Sequence, residues 1–318
     1  MPVDPLSDIL ELVNAKSVIS GGITAEGSWG IRFPPMDKLT FSVLLEGTCY
    51  LGVEGYSQPV RLMEGDVFLL ATHRGFVLSS DPEAEVVPAG QVFSSDGDGV
   101  ACIGDPGSGR RCVQAGGFVK MDPHHGAILA DCLPAWIHVG ARLSHAATVR
   151  WIVEHIDFER KHQLPGSPTA SNQLAMLMFI EILRAHLESG SDLQTGWLKV
   201  LADRQIAPAL RLMHTDPRKS WSLDELAREC ATSRTTFATR FRKVAGIPPL
   251  TYLFNWRMRL AKRILRDTDR PVSDIADSLG FSSESSFSHA FKRSSDVGPR
   301  AYRQRSRLTE AAFEGGLD

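Results

Sequence analysis

Two runs in this sequence of 318 residues, 234–243 and 284–293, set threonine, serine, histidine, arginine and lysine around a spaced pair of phenylalanines. Those polar types have a shared chemistry. Hydroxyls and guanidinium forks hydrogen-bond the edges of bases, a threonine methyl meets thymine, and cations meet phosphate. In the first run Phe237, Phe241 and Val244 fall at i, i+4 and i+7, one buried stripe of a helix, which leaves Arg234, Thr235, Ala238, Thr239 and Arg242 facing outward. In the second, Phe287 and Phe291 are the buried pair and Glu284, Ser285, Ser288, His289 and Lys292 are exposed. The base-reading candidates are Arg234, Thr235, Thr239, Ser285 and His289; the phosphate candidates are Arg242, Lys243, Lys292, Arg293 and Arg305. A helix with one apolar side and one short, polar, basic side can dock on its own domain while entering a major groove.

The elements that must hold these residues are written twice. Phe237 and Phe241 recur as Phe287 and Phe291, Pro249 as Pro299 and Tyr252 as Tyr302, each 50 residues on, while Leu223, Leu226 and Ala227 match Val272, Ile275 and Ala276 at an offset of 49. Each copy reads as helix, tight turn, helix. Ser222 with Glu225 forms a capping box ahead of the first, and Ser283 is the expected N-cap of the second reader. Between the copies Leu253, Trp256, Leu260, Ala261, Ile264 and Leu265 keep helical spacing, a spacer that would set the distance between readers. Charge agrees: Lys219 to Arg307 holds 18 Lys/Arg against 9 Asp/Glu, and the remainder 17 against 28, so a near-neutral total conceals a basic domain joined to an acidic one.

Ahead of this lies a β-rich half. Residues 4–15 read as a short helix, and strands are expected over 17–24, 29–33, 39–45, 49–53, 59–62 and 67–70, separated by glycine turns, the pattern of a sandwich or barrel. Segment 79–111, rich in Gly, Asp, Ser and Pro, is expected to be an irregular loop. From about 134 the pattern turns helical: Val149, Ile152, Val153 and Ile156 form one stripe, Ser171 is placed to cap AMLMFIEILRAHL, and a third helix runs from Leu193 to His214. No apolar run approaches a membrane span, and the N-terminal residues lack a basic stretch followed by an apolar one, so cytoplasmic residence is expected. Five cysteines over a chain of this length argue against a disulfide framework.

The run SLDELARECATSRTTFATRFRKVAGIPPLTYL, the spacer WRMRLAKRILRDTDRPVSDIADSLGF and the close SSESSFSHAFKRSSDVGPRAYRQR resemble the DNA-binding domain of AraC/XylS-type transcription regulators over about 90 residues, with the signature IA-x-x-x-GF, F-x-x-x-F, P-x-x-Y. Asp296 stands where the second copy often has glycine, and His289 where relatives often have arginine. The stretches WGIRFPP, FSVLLEGTCYLGVEG and RLMEGDVFLL resemble the cupin-like sensor domain of one branch of that family. The resemblance implies a transcription regulator working on promoter DNA, with RNA polymerase as partner and with activation and repression both open.

Cupin enzymes hold a metal with an H-x-H strand and a later histidine; the comparable places here carry Leu39 and Phe41, and Phe76 near His73, so no cofactor and no enzymatic activity are expected. A metalloenzyme fused to a DNA-binding domain is thereby disfavoured, as is a zinc site from Cys102, Cys112, His124 and His125, whose spacing matches no standard finger. Trp29, Arg32, Phe41, Val43, Tyr50, His73 and Phe76 are the candidates to line a ligand pocket, against the alternative that the aromatics simply fill the interior. Cys102 and Cys112, with Arg110 and Arg111 beside the second, keep open a thiol-based redox alternative. The expected architecture is multidomain α+β: a cupin-like β-barrel sensor over 1–140, a helical linker over 141–215 with homodimer contact as an even alternative to internal burial, an all-α domain with two helix-turn-helix units over 216–308, and a disordered tail over 309–318.

Overall fold

The computed structural model describes residues 4–36, 38–71, 74–93, 100–104, 107–122, 125–140, 146–189 and 193–314. The chain forms two compact units, Asn14–Gln194 and Thr195–Asp318 with Met1–Val13.

In the first unit, apolar–polar alternation between glycine turns produces strands. β1 (Lys16–Glu26), β3 (Leu39–Glu46), β6 (Val67–Leu70), β9 (Val100–Ile103), β10 (Arg111–Lys120) and β11 (Trp136–Val139) form one sheet in the order β11-β6-β3-β10-β1-β9. β2 (Gly30–Phe33), β4 (Thr48–Val53), β5 (Val60–Met63), β7 (Phe76–Ser79) and β8 (Val87–Pro88) form the other, in the order β5-β4-β7-β2-β8. Their facing sides bury Ile23, Trp29, Ile31, Leu44, Leu51, Phe68, Phe76 and Leu78 in a single cluster, so the expected barrel is two facing sheets. The segment expected as a loop is partly ordered: β8, a short helix α2 (Ala89–Val92) and β9 lie in it, and both strands join their sheets in parallel, β8 on β2 and β9 on β1. Such pairing needs a partner distant in sequence, so the local composition does not announce it. After α3 (Ala127–Ala130), α4 (Ala146–His162) and α5 (Ser167–Ser189) pack on each other and on the six-stranded sheet. Ser171 is not the cap; α5 begins a turn earlier, with Pro168 in its first turn, where a missing N–H costs nothing.

The second unit gathers α1 (Pro5–Leu12), capped by Asp4, with α6 (Trp197–Ala202), α7 (Ala207–Thr215), α8 (Leu223–Glu229), α9 (Arg234–Ala245), α10 (Pro249–Asp267), α11 (Val272–Ser278), α12 (Glu284–Ser295) and α13 (Pro299–Glu314). The single helix expected over 193–214 is two, because Asp203 accepts from the Gln205 amide (3.0 Å) and from Arg240 Nε (2.8 Å), turning the chain before Pro208 restarts it. α6 and α7 lie within the expected linker, yet pack on α9 and α8. α13 runs to Glu314, into the expected tail.

The sequence repeat becomes a repeat of packing. Phe237 and Phe241 have ring centroids 5.8 Å apart, Phe287 and Phe291 5.7 Å, and all four are fully buried. Tyr252 meets Phe241 edge-on at 6.0 Å, and Tyr302 meets Phe291 edge-on at 5.4 Å. Removing any one of these four phenyl rings to alanine would cost about 3–5 kcal/mol, which explains why the F-x-x-x-F spacing is kept in both copies.

Candidate nucleic-acid interface and sensor cavity

Both reader helices are started by side chains their own sequence supplies. Ser222 N donates to Glu225 Oε2 (2.9 Å) and Glu225 N donates to Ser222 Oγ (3.2 Å), closing the capping box of α8; the Ser222 amide holds the Glu225 carboxyl down to about 2. Ser233 Oγ accepts from the Thr236 amide to start α9, and Ser283 and Ser286 make the corresponding box on α12. At the far ends Gly246 (φ +80°) and Asp296 (φ +61°) take the left-handed conformation that stops each reader.

On α9, Arg234, Thr235, Thr239, Arg242 and Lys243 are exposed and Ala238 is half-buried; on α12, Ser285, His289, Lys292 and Arg293 are exposed and Glu284 and Ser288 half-buried, while Arg305 is exposed on α13. The helical spacing therefore brings the candidates of each reader onto one face. Two have partners that the sequence did not suggest. Arg234 Nη1 lies 3.3 Å from Asp224, and Glu284 accepts from Arg300 Nη2 at 3.2 Å, which offsets the one acid on the second reader. Both pairs are solvent-exposed, a class worth at most about 1 kcal/mol, so Arg234 can leave Asp224 for a base or phosphate at small cost. α10 separates the readers with nineteen residues, about 28 Å at ~1.5 Å each. Its Arg257 braces the segment that leads into α8. Nε donates to the Pro217 carbonyl (2.6 Å) and Nη2 to that of Lys219 (2.9 Å), and burial lowers the guanidinium pKa.

In the β unit a cavity of about 460 Å³ lies between the sheets, bordered by Phe33, Phe76, Phe93, Phe118 and Met36 among others. Of the pocket candidates, Phe76 lines it. Phe41 borders it, but the ring is on the opposite face of β3, where it abuts Gly117. Val43 shares that opposite face, Trp29 is buried in the core cluster away from the cavity, and Arg32 and Tyr50 lie on the outer side of their sheet, alternating with buried Ile31 and Leu51. The physical reason is the two-residue period of a strand: the inward residues of β3 are Thr40, Ser42 and Leu44. His73 and His124 lie outside the described residues. Among the described residues no group of three or more His, Cys, Asp or Glu is placed to hold a metal.

The thiol alternative meets a geometric obstacle. Cys102 is in register with Thr24 on one side of β1 and Cys112 with Ala25 on the other, so the two are separated by about 10 Å across two strand spacings and point to opposite faces. A disulfide needs Cα atoms within about 7 Å. Cys102 is exposed, Cys112 is buried, and Arg111 turns away to Glu46 (3.6 Å). The buried partner of Cys112 is Cys49 on the facing sheet; their hydrogen bond and burial push the Cys49 thiol up, away from the reactive thiolate.

A basic helical unit with two capped readers, joined to a cupin-type β unit, defines a DNA-binding regulator with its own sensor-like domain. Comparison with known proteins agrees in both halves: a Cupin family model matches residues 4–188 and a helix-turn-helix domain model matches 226–305. A Streptomyces lividans protein assigned to the AraC-like transcription regulators is 40% identical over 302 residues, covering 95% of this chain and 98% of the relative. The HTH-type transcriptional regulator AlkR of Acinetobacter baylyi is 27% identical over 314 residues, covering 96% of this chain and 100% of its own. Among solved structures, the DNA-binding domain of AdpA, crystallised with a target DNA, is 29% identical and covers 33% of this chain and 95% of its own, with a TM-score of 0.31. The chain belongs to the AraC family of transcription regulators.

Proposed function

We propose that α9 and α12 enter successive major-groove segments on one face of promoter DNA, with Arg234, Thr235, Thr239, Ser285 and His289 at base edges and Arg242, Lys243, Lys292, Arg293 and Arg305 at phosphates. The observation that carries this reading is the duplicated arrangement itself: two capped helices with buried phenylalanine pairs, each turning a short polar and basic face outward, in a unit rich in cations. Ala238 and Ser288, half-buried and small, let each helix approach the groove closely. Glu284, held by Arg300, repels phosphate less than a free carboxylate would.

The β unit senses a small molecule in the cavity between its sheets and biases DNA binding; we assign no enzymatic step to it. The chain acts as a homodimer in the cytoplasm, with RNA polymerase as its partner at the promoter. α4 supports the dimer: it leaves Trp151 and Phe158 about half exposed, with Leu164 just beyond its end, an apolar stripe that a twin subunit would cover. Among the described residues no helix is long and apolar enough to cross a membrane.

Salt titration of DNA binding by the full chain tests the reading. With about six phosphate contacts the slope of log K against log salt is expected near −5 to −6. No binding to any genomic fragment at low salt would sink it. A shallow slope would remove the phosphate assignments.

A further inference from the structure

Three strands of the six-stranded sheet set their smallest residues side by side. Ser42 on β3 is in register with Gly116 on β10, which is in register with Gly21 on β1. The next row is Leu44, Gln114 and Ile23, and since alternation returns every second residue to one face, both rows face the five-stranded sheet. A Cβ added to Gly116 would meet nothing closer than the Phe41 carbonyl oxygen at 3.7 Å. Gly117, facing the other way, would drive its own Cβ to 2.6 Å from Phe41 Cζ and 2.1 Å from the Val18 carbonyl. Gly117 is thus small because it is crowded, whereas Gly116 opens onto empty space. That space is the cavity of about 460 Å³, within the range of small-molecule sites.

The lining restricts what can enter. Phe33, Phe76, Phe93 and Phe118 form apolar walls. The polar groups deep in the site already meet one another: Ser42 Oγ lies 3.4 Å from Gln114 Oε1 and 3.3 Å from the Ala115 carbonyl oxygen, and Gln114 Nε2 lies 2.9 Å from Cys49 Sγ. No carboxylate lines the cavity among the described residues, and its one cation, Lys38, is exposed, with Nζ 4.3 Å from the centre of the Phe118 ring. Among the described residues a cation inside would find no carboxylate, an anion would find only Lys38 at the exposed mouth and none in the depth of the site, and a molecule with many hydroxyls would leave most of them unpaired; each is costly.

We propose that the cavity holds one uncharged, mainly apolar molecule whose single hydrogen-bonding group meets Ser42 and Gln114. This rests on the sensor reading above and names the chemical class of its effector.

The test uses the full chain and two fluorophores of related skeleton, uncharged N-phenyl-1-naphthylamine and anionic 8-anilino-1-naphthalenesulfonate. The uncharged probe is expected to bind saturably at one per chain, and the sulfonate to displace it at least about tenfold less well. Gly116→Leu, which fills the space, is expected to weaken the uncharged probe by about tenfold or more, with a melting temperature no lower than that of the parent chain. Gly116→Ala adds one methyl and is expected to weaken it by about threefold, and it decides the matter alone if the leucine variant does not fold. Equal or tighter binding of the sulfonate overturns the uncharged class; parent-like probe affinity in a folded Gly116 variant, or no saturable site, overturns the cavity. DNA retention measured on the same preparations keeps the two readings apart: a chain that binds DNA but not the probe loses only this proposal.

Discussion

Thr239 and His289 stand 50 residues apart at matching places on α9 and α12, and both are exposed. Threonine offers a hydroxyl and a methyl to the groove, whereas an imidazole cannot reproduce the two-pronged grip of an arginine on guanine. Thr239→Ala is therefore expected to change base preference in the half-site under α9, at a cost of about 1 kcal/mol or more, and His289→Ala to cost less and shift preference little. Binding selection from a library randomised at both half-sites checks it; loss of preference with His289→Ala alone would reverse the roles. Which residues face outward was legible in the sequence, because the 3.6-residue period and the phenylalanine pairs define the buried side. Which of them are already engaged was not: Asp224 and Arg300 lie 10 and 16 residues from Arg234 and Glu284, on neighbouring elements whose crossing the sequence does not state.

At the scale of elements, the two helix-turn-helix units differ at one informative point. Ala231 and Gly280 occupy the same place in the two turns, both left-handed, at φ +50° and +76°. An L side chain pays roughly 1–2 kcal/mol in that conformation, so Ala231→Gly is expected to stabilise the helical unit by about 1 kcal/mol. Gly280 carries a second constraint: a Cβ there would sit 1.9 Å from the Arg218 carbonyl oxygen. Gly280→Ala must therefore add a backbone shift to the conformational strain, and is expected to destabilise by about 2 kcal/mol or more. Urea midpoints followed by the fluorescence of Trp221 and Trp256 give both numbers; a neutral Gly280→Ala would show that the turn adjusts freely. The glycine was visible in the sequence as part of the family signature, but the carbonyl that requires it became visible only in the folded chain.

At the scale of the molecule, α1, near the start of the chain, packs within the helical unit. His214 on α7 is buried, with Nδ1 2.9 Å from Asp8 on α1, Nε2 2.8 Å from the Tyr252 hydroxyl on α10, and its ring stacked on Trp256 at 4.1 Å. A neutral ring suits both partners, with Nδ1–H donating to the carboxylate and Nε2 accepting from the tyrosine hydroxyl. Burial lowers its pKa, outweighing the upward pull of Asp8 and then Asp4. In the unfolded chain the imidazole keeps its ordinary value near 6.5. As pH falls through that value the unfolded chain takes up a proton the folded one refuses, so this site's contribution is whole above about pH 6.5 and declines below it. The gap in melting temperature between the parent chain and His214→Gln is expected to narrow from about pH 8 to pH 5. A gap that ignores pH would remove His214 from this account.

The sequence by itself carried the motifs whose resemblance implies the family, and it determined the order of β-rich and helical halves, most strand and helix positions and the two polar helix faces, since these last follow from periodicity, capping and spacing within one element or one repeat. Tertiary structure decided the rest. It brought α1, α6 and α7 to the helical unit, placed α4 and α5 on the sheet, set Cys112 beside Cys49 instead of Cys102, and opened the cavity of the β unit beside Ser42, Gly116 and Gly21, with Phe76 the expected pocket residue that faces into it. Each of these depends on which strands are neighbours and in what register. A shift of one residue turns every side chain of a strand to the other face, and only the paired sheet selects among the registers that local pattern allows.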